Sequence, residues 1–362
     1  MRIVVKIGSS SLVDSAGQRQ VGLLGQLVDD IAAVVQAGHD VVLVSSGAIA
    51  TGLGVLGHEK RPTELPALQA ASAVGQGALF ATWSGLFQLR GVRAGQVLLT
   101  MHDATHRTSW LNARGTLEQL FAWRVVPIVN ENDTTATDEI TFGDNDALAA
   151  QVAVSLDADL LLLLTDTDGL YTEHPDNPDA ELIRTVDDHS LLHRIDTATS
   201  GSHWGSGGMR SKVVAAEMAS TGGVVTYIAR AATPGIVGRI VAGEHVGTRV
   251  ASDARRGTSF KLWLRYAKRP TGTIVVDEGA REAILERGAS LLPIGIVSAD
   301  GPFQPGDAVE IATADGPAFA KGIVEYARAE VTRLAGDAEA ARGAPEAVHR
   351  DQLVLLAAAA VT

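Results

Sequence analysis

Residues 205–212 read G-S-G-G-M-R-S-K, three glycines and two serines leading to a lysine just before an apolar helical run. Glycine lets a backbone lie close to an anion, and successive N–H groups can then point at it. A Walker A loop places Gly directly before its Lys, whereas here Ser211 precedes Lys212, and no Gly-Lys-Ser or Gly-Lys-Thr occurs in the chain. Five further clusters combine small or polar residues at strand-like or helix-opening positions. They are K-I-G-S-S (6–10), S-S-G-A-I-A-T-G (45–52), N-E-N-D (130–133), G-D-N-D-A-L-A-A (143–150) and T-D-T-D-G-L-Y-T (165–172). Taken singly, each is a turn, an N-cap or a solvated helix start. Together with Lys6 and Lys212 they point to a polyanionic ligand with a magnesium partner, and to phosphoryl transfer onto a small anion.

The elements that must carry these clusters alternate along the chain. Strand-like runs at 2–6, 41–44, 96–100, 125–130, 160–165 and 224–229 are separated by helical stretches, including 22–37, 48–56 and 66–89. Apolar runs without polar alternation predict strands buried on both faces, hence an α/β fold with a mainly parallel sheet covered by helices. In such sheets ligands bind beyond the carboxyl ends of the strands. Residues 136–142 alternate and predict a small hairpin. The segment 254–269 then carries six Lys/Arg and no acid. Beyond it, short apolar runs at 271–276, 290–297, 306–311 and 318–324, with one helix at 278–287, predict a small all-β or α+β unit. The expected boundaries are 1–252 for the first domain, 253–269 for a basic, solvated linker, 270–350 for the second domain and 351–362 for a tail.

Composition narrows the classes. The 362 residues suit two domains. With no cysteine, disulfides, Cys-ligated zinc and thiol catalysis are excluded. The ten histidines form no H-E-x-x-H or H-x-H pair, and neither G-x-S-x-G nor a strand-following G-x-G-x-x-G occurs. No apolar run reaches the roughly 18 residues of a membrane span, and a long leader h-region is absent from the N-terminal stretch. The net charge of −12 opposes general nucleic-acid binding. The expectation is a soluble cytoplasmic protein with no membrane and no nucleic-acid partner.

These motifs, in this order, resemble the amino-acid kinase superfamily. I-V-N-E-N-D combined with F-G-D-N-D resembles the glutamate 5-kinase family within it. T-I-V-V-D-E-G at 273–279, A-I-L-E-R-G-A-S-L-L-P-I-G-I at 283–296 and a late A-V-H-R-D resemble the PUA domain often fused to it. The resemblance implies a three-layer αβα sandwich around a mainly parallel sheet, plus a small, mainly-β PUA-like C-terminal domain. It implies ATP and Mg²⁺ as cofactors, and ATP-dependent phosphorylation of the γ-carboxylate of L-glutamate to L-glutamyl 5-phosphate, the first step of proline biosynthesis. Carried over by position, Lys6, Lys212 and Asp146 are catalytic, the two lysines gripping phosphate oxygens and Asp146 orienting them. Ser46, Gly47, Asp133 and Asn145 would bind glutamate. Lys6, Gly8, Thr165, Asp166, Ser206, Gly207, Gly208, Met209 and Lys212 would bind the nucleotide, with no protein side chain assigned to a metal. The pattern departs slightly at Ser206 and Ser211, which stand where threonines are expected, and Arg210 carries no assigned role.

The resemblance also implies feedback inhibition by L-proline involving residues 130–142, a homo-oligomer, and handover of the labile product to the next reductase of the pathway. Kinases of N-acetylglutamate, aspartate, carbamate and UMP share the glycine-loop logic and are the alternatives within the superfamily. An RNA-binding regulatory protein, acting through the PUA-like domain, is the alternative from another class. Residues 271–350 hold seven Lys/Arg against thirteen Asp/Glu, a balance that opposes phosphate-backbone contact.

Overall fold

The computed structural model describes residues 1–12, 20–58, 60–105, 107–135, 144–188, 191–192, 208–252, 259–266, 268–337, 339–340 and 342–356. The chain forms two compact units, residues 1–256 and 257–362. The predicted hairpin at 136–142 and residues 205–207 of the Gly-rich stretch lie outside the described residues, as do 253–258 and 357–362.

In the first unit the elements run β1 (Arg2–Ile7), α1 (Ser9–Leu12), α2 (Val21–Gln36), β2 (Asp40–Ser45), α3 (Ala48–Leu56), α4 (Leu65–Gln88) and β3 (Arg93–Leu99). Then come α5 (Met101–Thr105), α6 (Arg107–Ala122), β4 (Val125–Glu131), α7 (Asp144–Ser155) and β5 (Leu160–Thr165). The short strands β6 (Leu170–Tyr171), β7 (Leu182–Ile183) and β8 (Thr185–Val186) precede α8 (Met209–Thr221), β9 (Val225–Arg230), α9 (Ile236–Val241) and β10 (Thr248–Val250). Eight strands form one sheet in the order β3-β4-β2-β1-β5-β9-β10-β8, and β6 pairs with β7 separately. Every neighbouring pair in the large sheet is parallel except β9 with β10. β5, five leucines ending in Thr165, is buried throughout, as a central strand covered on both faces must be. β3 differs from the expectation of double burial: it is the edge strand, and several of its residues reach solvent.

Side chains alternate across a strand with period two. Ile3, Val5 and Ile7 join the core that β1 shares with α2, α4 and α9. Val4 and Lys6 therefore belong to the opposite face, where α7 packs on β1. The lysine in an otherwise apolar strand is thus delivered, by parity alone, beneath the first turn of α7.

Two glycines set the closest helix contact. A Cβ on Gly52 of α3 would lie 1.8 Å from the Ala71 carbonyl oxygen, and one on Gly75 of α4 would lie 1.8 Å from that of Ala48. Helices α3 and α4 consequently touch backbone to backbone, which no larger residue permits.

The second unit holds α10 (Ser259–Tyr266), β11 (Pro270–Val276), α11 (Glu278–Arg287), β12 (Ile296–Asp300), β13 (Ala308–Ala312), β14 (Ala320–Ile323), α12 (Arg328–Leu334) and β15 (Leu353–Leu355). Its five-stranded sheet has the order β12-β11-β13-β14-β15. Asp277 caps α11 by accepting from the Ala280 N–H, and Gly288 closes it in the left-handed region. Two expectations are corrected here. Residues 259–266 are not linker: they form α10, whose Leu262, Trp263 and Leu264 are buried, and α10 packs on β14 and β15. Its charges alternate with apolar residues at helical spacing, so the basic composition concealed an amphipathic helix. Nor are residues 353–355 tail, since they supply the last strand of the sheet, paired antiparallel with β14.

Candidate active site

The parallel register brings the predicted clusters to one sheet edge. Ile7 lies opposite both Ser45 and Leu164, and Val44 lies opposite Val129, so the segments after β1, β2, β4 and β5 leave the sheet at one level. Backbone bonds tie them together. The Ser46 N–H donates to the Ile7 carbonyl and the Gly8 N–H to that of Leu164, both at 3.3 Å.

At the centre is a buried ionic triad. Lys6 Nζ lies 2.5 Å from Asp146 Oδ1 and Lys212 Nζ lies 3.4 Å from Oδ2. The Ser211 hydroxyl donates to the same Oδ2 at 2.6 Å. All three charged residues are almost fully buried, with Asp146 at zero exposure. Burial alone would raise the Asp146 carboxyl, but the charges of Lys212 and Lys6, with hydrogen bonds from Lys6 and Ser211, hold it well below the usual carboxylate range. Burial lowers Lys6 to about 8; Asp146 opposes this shift and Lys212 adds to it. One anion between two cations leaves a net positive charge in a site closed to water. That is an environment for phosphate.

Two helix N-termini border this centre. Gly47 sits before α3 with φ +93, and Gly208 before α8 in extended backbone; no side chain caps either helix. Uncapped first-turn N–H groups form a ready anion site. The G-D-N-D segment could have been a helix cap, yet Asp146 is committed to the triad, and Asn145 Oδ1 accepts from the Glu131 N–H at 3.3 Å. Met209 opens α8 and is partly buried, and Arg210 beside it is exposed. Ser206 and Gly207 lie outside the described residues.

A second group of residues lines the ends of β2 and β4. Asp133 is buried and accepts from the Ser72 hydroxyl at 2.5 Å. Burial raises its carboxyl, with the Ser72 bond and the Arg61 charge acting the other way. Gln76 donates to the Glu131 carbonyl at 3.0 Å and accepts from Asn130 Nδ2 at 3.1 Å. Asn130 Oδ1 then faces the Glu131 N–H at 2.9 Å. Trp83 Nε1 donates to Ser45 Oγ, whose own hydroxyl donates to the Ser46 carbonyl.

On the far side of β1, Thr165 is buried at the end of β5 and its hydroxyl donates to Asp166 Oδ1 at 3.0 Å. Asp166 itself is exposed. The loop they open is pinned by Arg230 at the end of β9, which donates to both carboxylate oxygens of Asp168 at 2.6 and 3.4 Å.

Sequence reasoning missed Ser72, Gln76 and Trp83, and also the Asp168–Arg230 pair. The first three occupy one face of α4, at spacings of four and seven residues, among Leu79 and Phe87 that are fully packed. Polar residues recurring on the apolar face of a helix were the available signal.

Comparison with known proteins identifies family matches for both parts of the chain. The model of the amino acid kinase family matches residues 1–230, and the PUA domain model matches residues 272–341. The glutamate 5-kinase of Picosynechococcus sp. is 42% identical over 367 residues, covering 99% of this chain and 98% of its own. That of Cutibacterium acnes is 45% identical over 360 residues, covering 98% of this chain and 91% of its own. That of Streptomyces coelicolor is 45% identical over 363 residues, covering 98% and 96%.

Proposed function

The chain belongs to the amino acid kinase family, and from that premise we propose that it phosphorylates the γ-carboxylate of L-glutamate with ATP, giving L-glutamyl 5-phosphate and ADP. This is the glutamate 5-kinase reaction, the first step of proline biosynthesis, and the near-full-length relatives that carry that name support it. The observation that carries the chemistry is the buried Lys6–Asp146–Lys212 triad at the carboxyl ends of β1 and its neighbours.

A carboxylate is already a nucleophile at neutral pH, so the reaction needs no general base. Its oxygen forms a bond to the γ-phosphorus while the bond from that phosphorus to the β–γ bridging oxygen breaks, and the electron pair leaves with ADP. The obstacle is bringing an anion against a polyanion, so positioning and charge neutralisation carry the catalysis. Lys6 and Lys212 neutralise the transferring phosphoryl group from opposite sides, and Asp146 keeps both ammonium groups in place. The uncapped N-termini of α3 and α8 supply N–H donors to anionic oxygens. Gly8, Thr165, Asp166, Ser206, Gly207, Gly208 and Met209 bind the nucleotide. Asp133 takes the ammonium of glutamate, while Ser46, Gly47 and Asn145 hold its carboxylates.

Among the described residues no group of three His, Cys, Asp or Glu is placed to hold a metal. Mg²⁺ is assigned to the triphosphate, as the counter-ion with which ATP arrives. No described helix is long and apolar enough to cross a membrane, and we place the enzyme in the cytoplasm. Inhibition by L-proline at the amino-acid site, a homo-oligomeric state and transfer of the acyl phosphate to a reductase complete the reading. RNA plays no part in it.

A hydroxylamine trap with Mg-ATP tests the proposal, offering glutamate, N-acetylglutamate, aspartate, carbamate and UMP in parallel while ADP release is followed. Hydroxamate from glutamate alone is the expected result. Turnover of another member instead would move the acceptor pocket, and absence of ADP release with all five would overturn the assignment.

A further inference from the structure

Helix α4 is apolar where it meets the sheet, with Leu79, Trp83 and Phe87 packed into the core. Ser72 and Gln76 break that face, and both are buried. The polar groups on this face reach two strand-end segments: Ser72 reaches Asp133 and Gln76 reaches Asn130 and Glu131, all at the end of β4, while Trp83 reaches Ser45 at the end of β2. The helix therefore backs the whole amino-acid pocket, and the glycine contact with α3 fixes its depth.

Ser72 is the most consequential of the three. It is fully buried, and its hydroxyl occupies Asp133 Oδ2. Among the described residues no donor reaches Oδ1. A buried carboxylate with one oxygen held by the protein and the other free is shaped to receive a cation. The charged group whose field reaches it, among the described residues, is Arg61 on the segment leading into α4.

We propose that Ser72 is a positioning residue for substrate recognition: its hydroxyl holds the Asp133 carboxylate as an anion, with Oδ1 turned to the α-ammonium of the amino acid. The inference rests on the acceptor-site reading above and deepens it. Desolvation favours the protonated, neutral carboxyl, which cannot pair with an ammonium. A donated hydrogen bond is stronger to an anionic carboxylate than to a neutral carboxyl, so the Ser72 hydroxyl favours the ionised form. Removing that donor raises the proton affinity of Asp133, and the sign of the effect follows. The acid limb of kcat/KM for glutamate must move to higher pH, because substrate binding is lost as Asp133 takes up its proton.

The test is the pH profile of kcat/KM for L-glutamate at saturating Mg-ATP, on the full chain, for wild type, Ser72→Ala, Ser72→Cys and Ser72→Thr. Titration of glutamate and of ATP is common to all four, so differences belong to the protein. In Ser72→Ala the acid limb is expected to shift up by about one pH unit, a tenfold change in proton affinity. KM then rises about tenfold on that limb, while kcat at saturation stays within about threefold. Ser72→Cys, a weak donor of similar volume, should follow Ala, and Ser72→Thr should keep the wild-type limb. Limbs that superimpose in folded Ala and Cys variants would overturn the proposal, as would a folded Thr variant displaced as far as Ala. Asp133→Asn separates the two levels of inference. If it raises the glutamate KM strongly while Ser72→Ala is silent, only the role of Ser72 fails. If it leaves KM unchanged, Asp133 is not the ammonium partner and both readings fail.

Discussion

Replacing Asp146 by Asn keeps the shape of the triad and removes its one negative charge. At an effective dielectric of about 20, unit charges at the observed 2.5 and 3.4 Å attract by about 6.6 and about 5 kcal/mol. Burial already opposes both lysines, and Lys6 retains its proton only to about pH 8 with the carboxylate beside it. Loss of even a third of the Lys6 attraction, roughly 2 kcal/mol, lowers its proton affinity by about 1.5 units, since one unit is about 1.36 kcal/mol. Lys6 is then largely neutral at pH 7, and the site keeps one cation where it had two. Removal of a single preorganised electrostatic contact costs about 10²–10³ in kcat, which sets the expected loss for Asp146→Asn at saturating glutamate and Mg-ATP. Breaking a buried ion pair also costs about 3–5 kcal/mol of stability, reduced here by deprotonation of Lys6, so the melting temperature should fall and recover partly above pH 8. ADP release and a thermal melt measure the two effects. A kcat within threefold of wild type, in a protein that melts normally, would refute the electrostatic role and leave Asp146 as a helix-opening residue.

Four further outcomes are expected. In the wild type, kcat/KM for Mg-ATP should fall as pH rises through about 8, where Lys6 loses its charge; bound polyphosphate favours the charged form, so the limb in kcat should lie higher, and coincident limbs would remove Lys6 from the phosphate site. The same group binds fewer protons folded than unfolded between about 8 and 10.5, so its contribution to stability rises with pH across that window. Gly52→Ala would put a methyl 1.8 Å from a backbone oxygen and 2.7 Å from its carbon, a clash that side-chain rotation cannot relieve; destabilisation at or above the usual 1–3 kcal/mol of about one overpacked site should appear in a melt, with a raised glutamate KM. Leu264→Ala, at a fully buried position of α10, should cost about 2–5 kcal/mol in a calorimetric transition of the full chain, whereas no shift would return residues 259–266 to linker.

The local chemistry of this protein was legible from residue order. Short, mostly apolar runs rich in Val, Ile and Leu and bounded by turn residues read as buried strands, so β1, β2, β4, β5 and β9 and their mainly parallel arrangement were expected. Parallel strands share one carboxyl edge, and the small and charged residues just beyond them had to gather there. Helices α3 and α11 were likewise set by their flanking glycines, at Gly47, Gly57 and Gly288. Tertiary structure decided which groups meet and in what state. Lys6, Asp146 and Lys212 come from three separate elements, and their ionisation depends on distances and burial that no spacing encodes. Ser72, Gln76 and Trp83 looked like ordinary positions in a long helix until the backbone contact of α3 with α4 pressed them against the strand ends. The stretch at 259–266 read as charge because composition counts residues without regard to face, while packing on β14 and β15 selects the apolar side. Sequence thus determined the local backbone, whose preferences are short-range. The electrostatic state of the site arises only when remote side chains exclude water from one another.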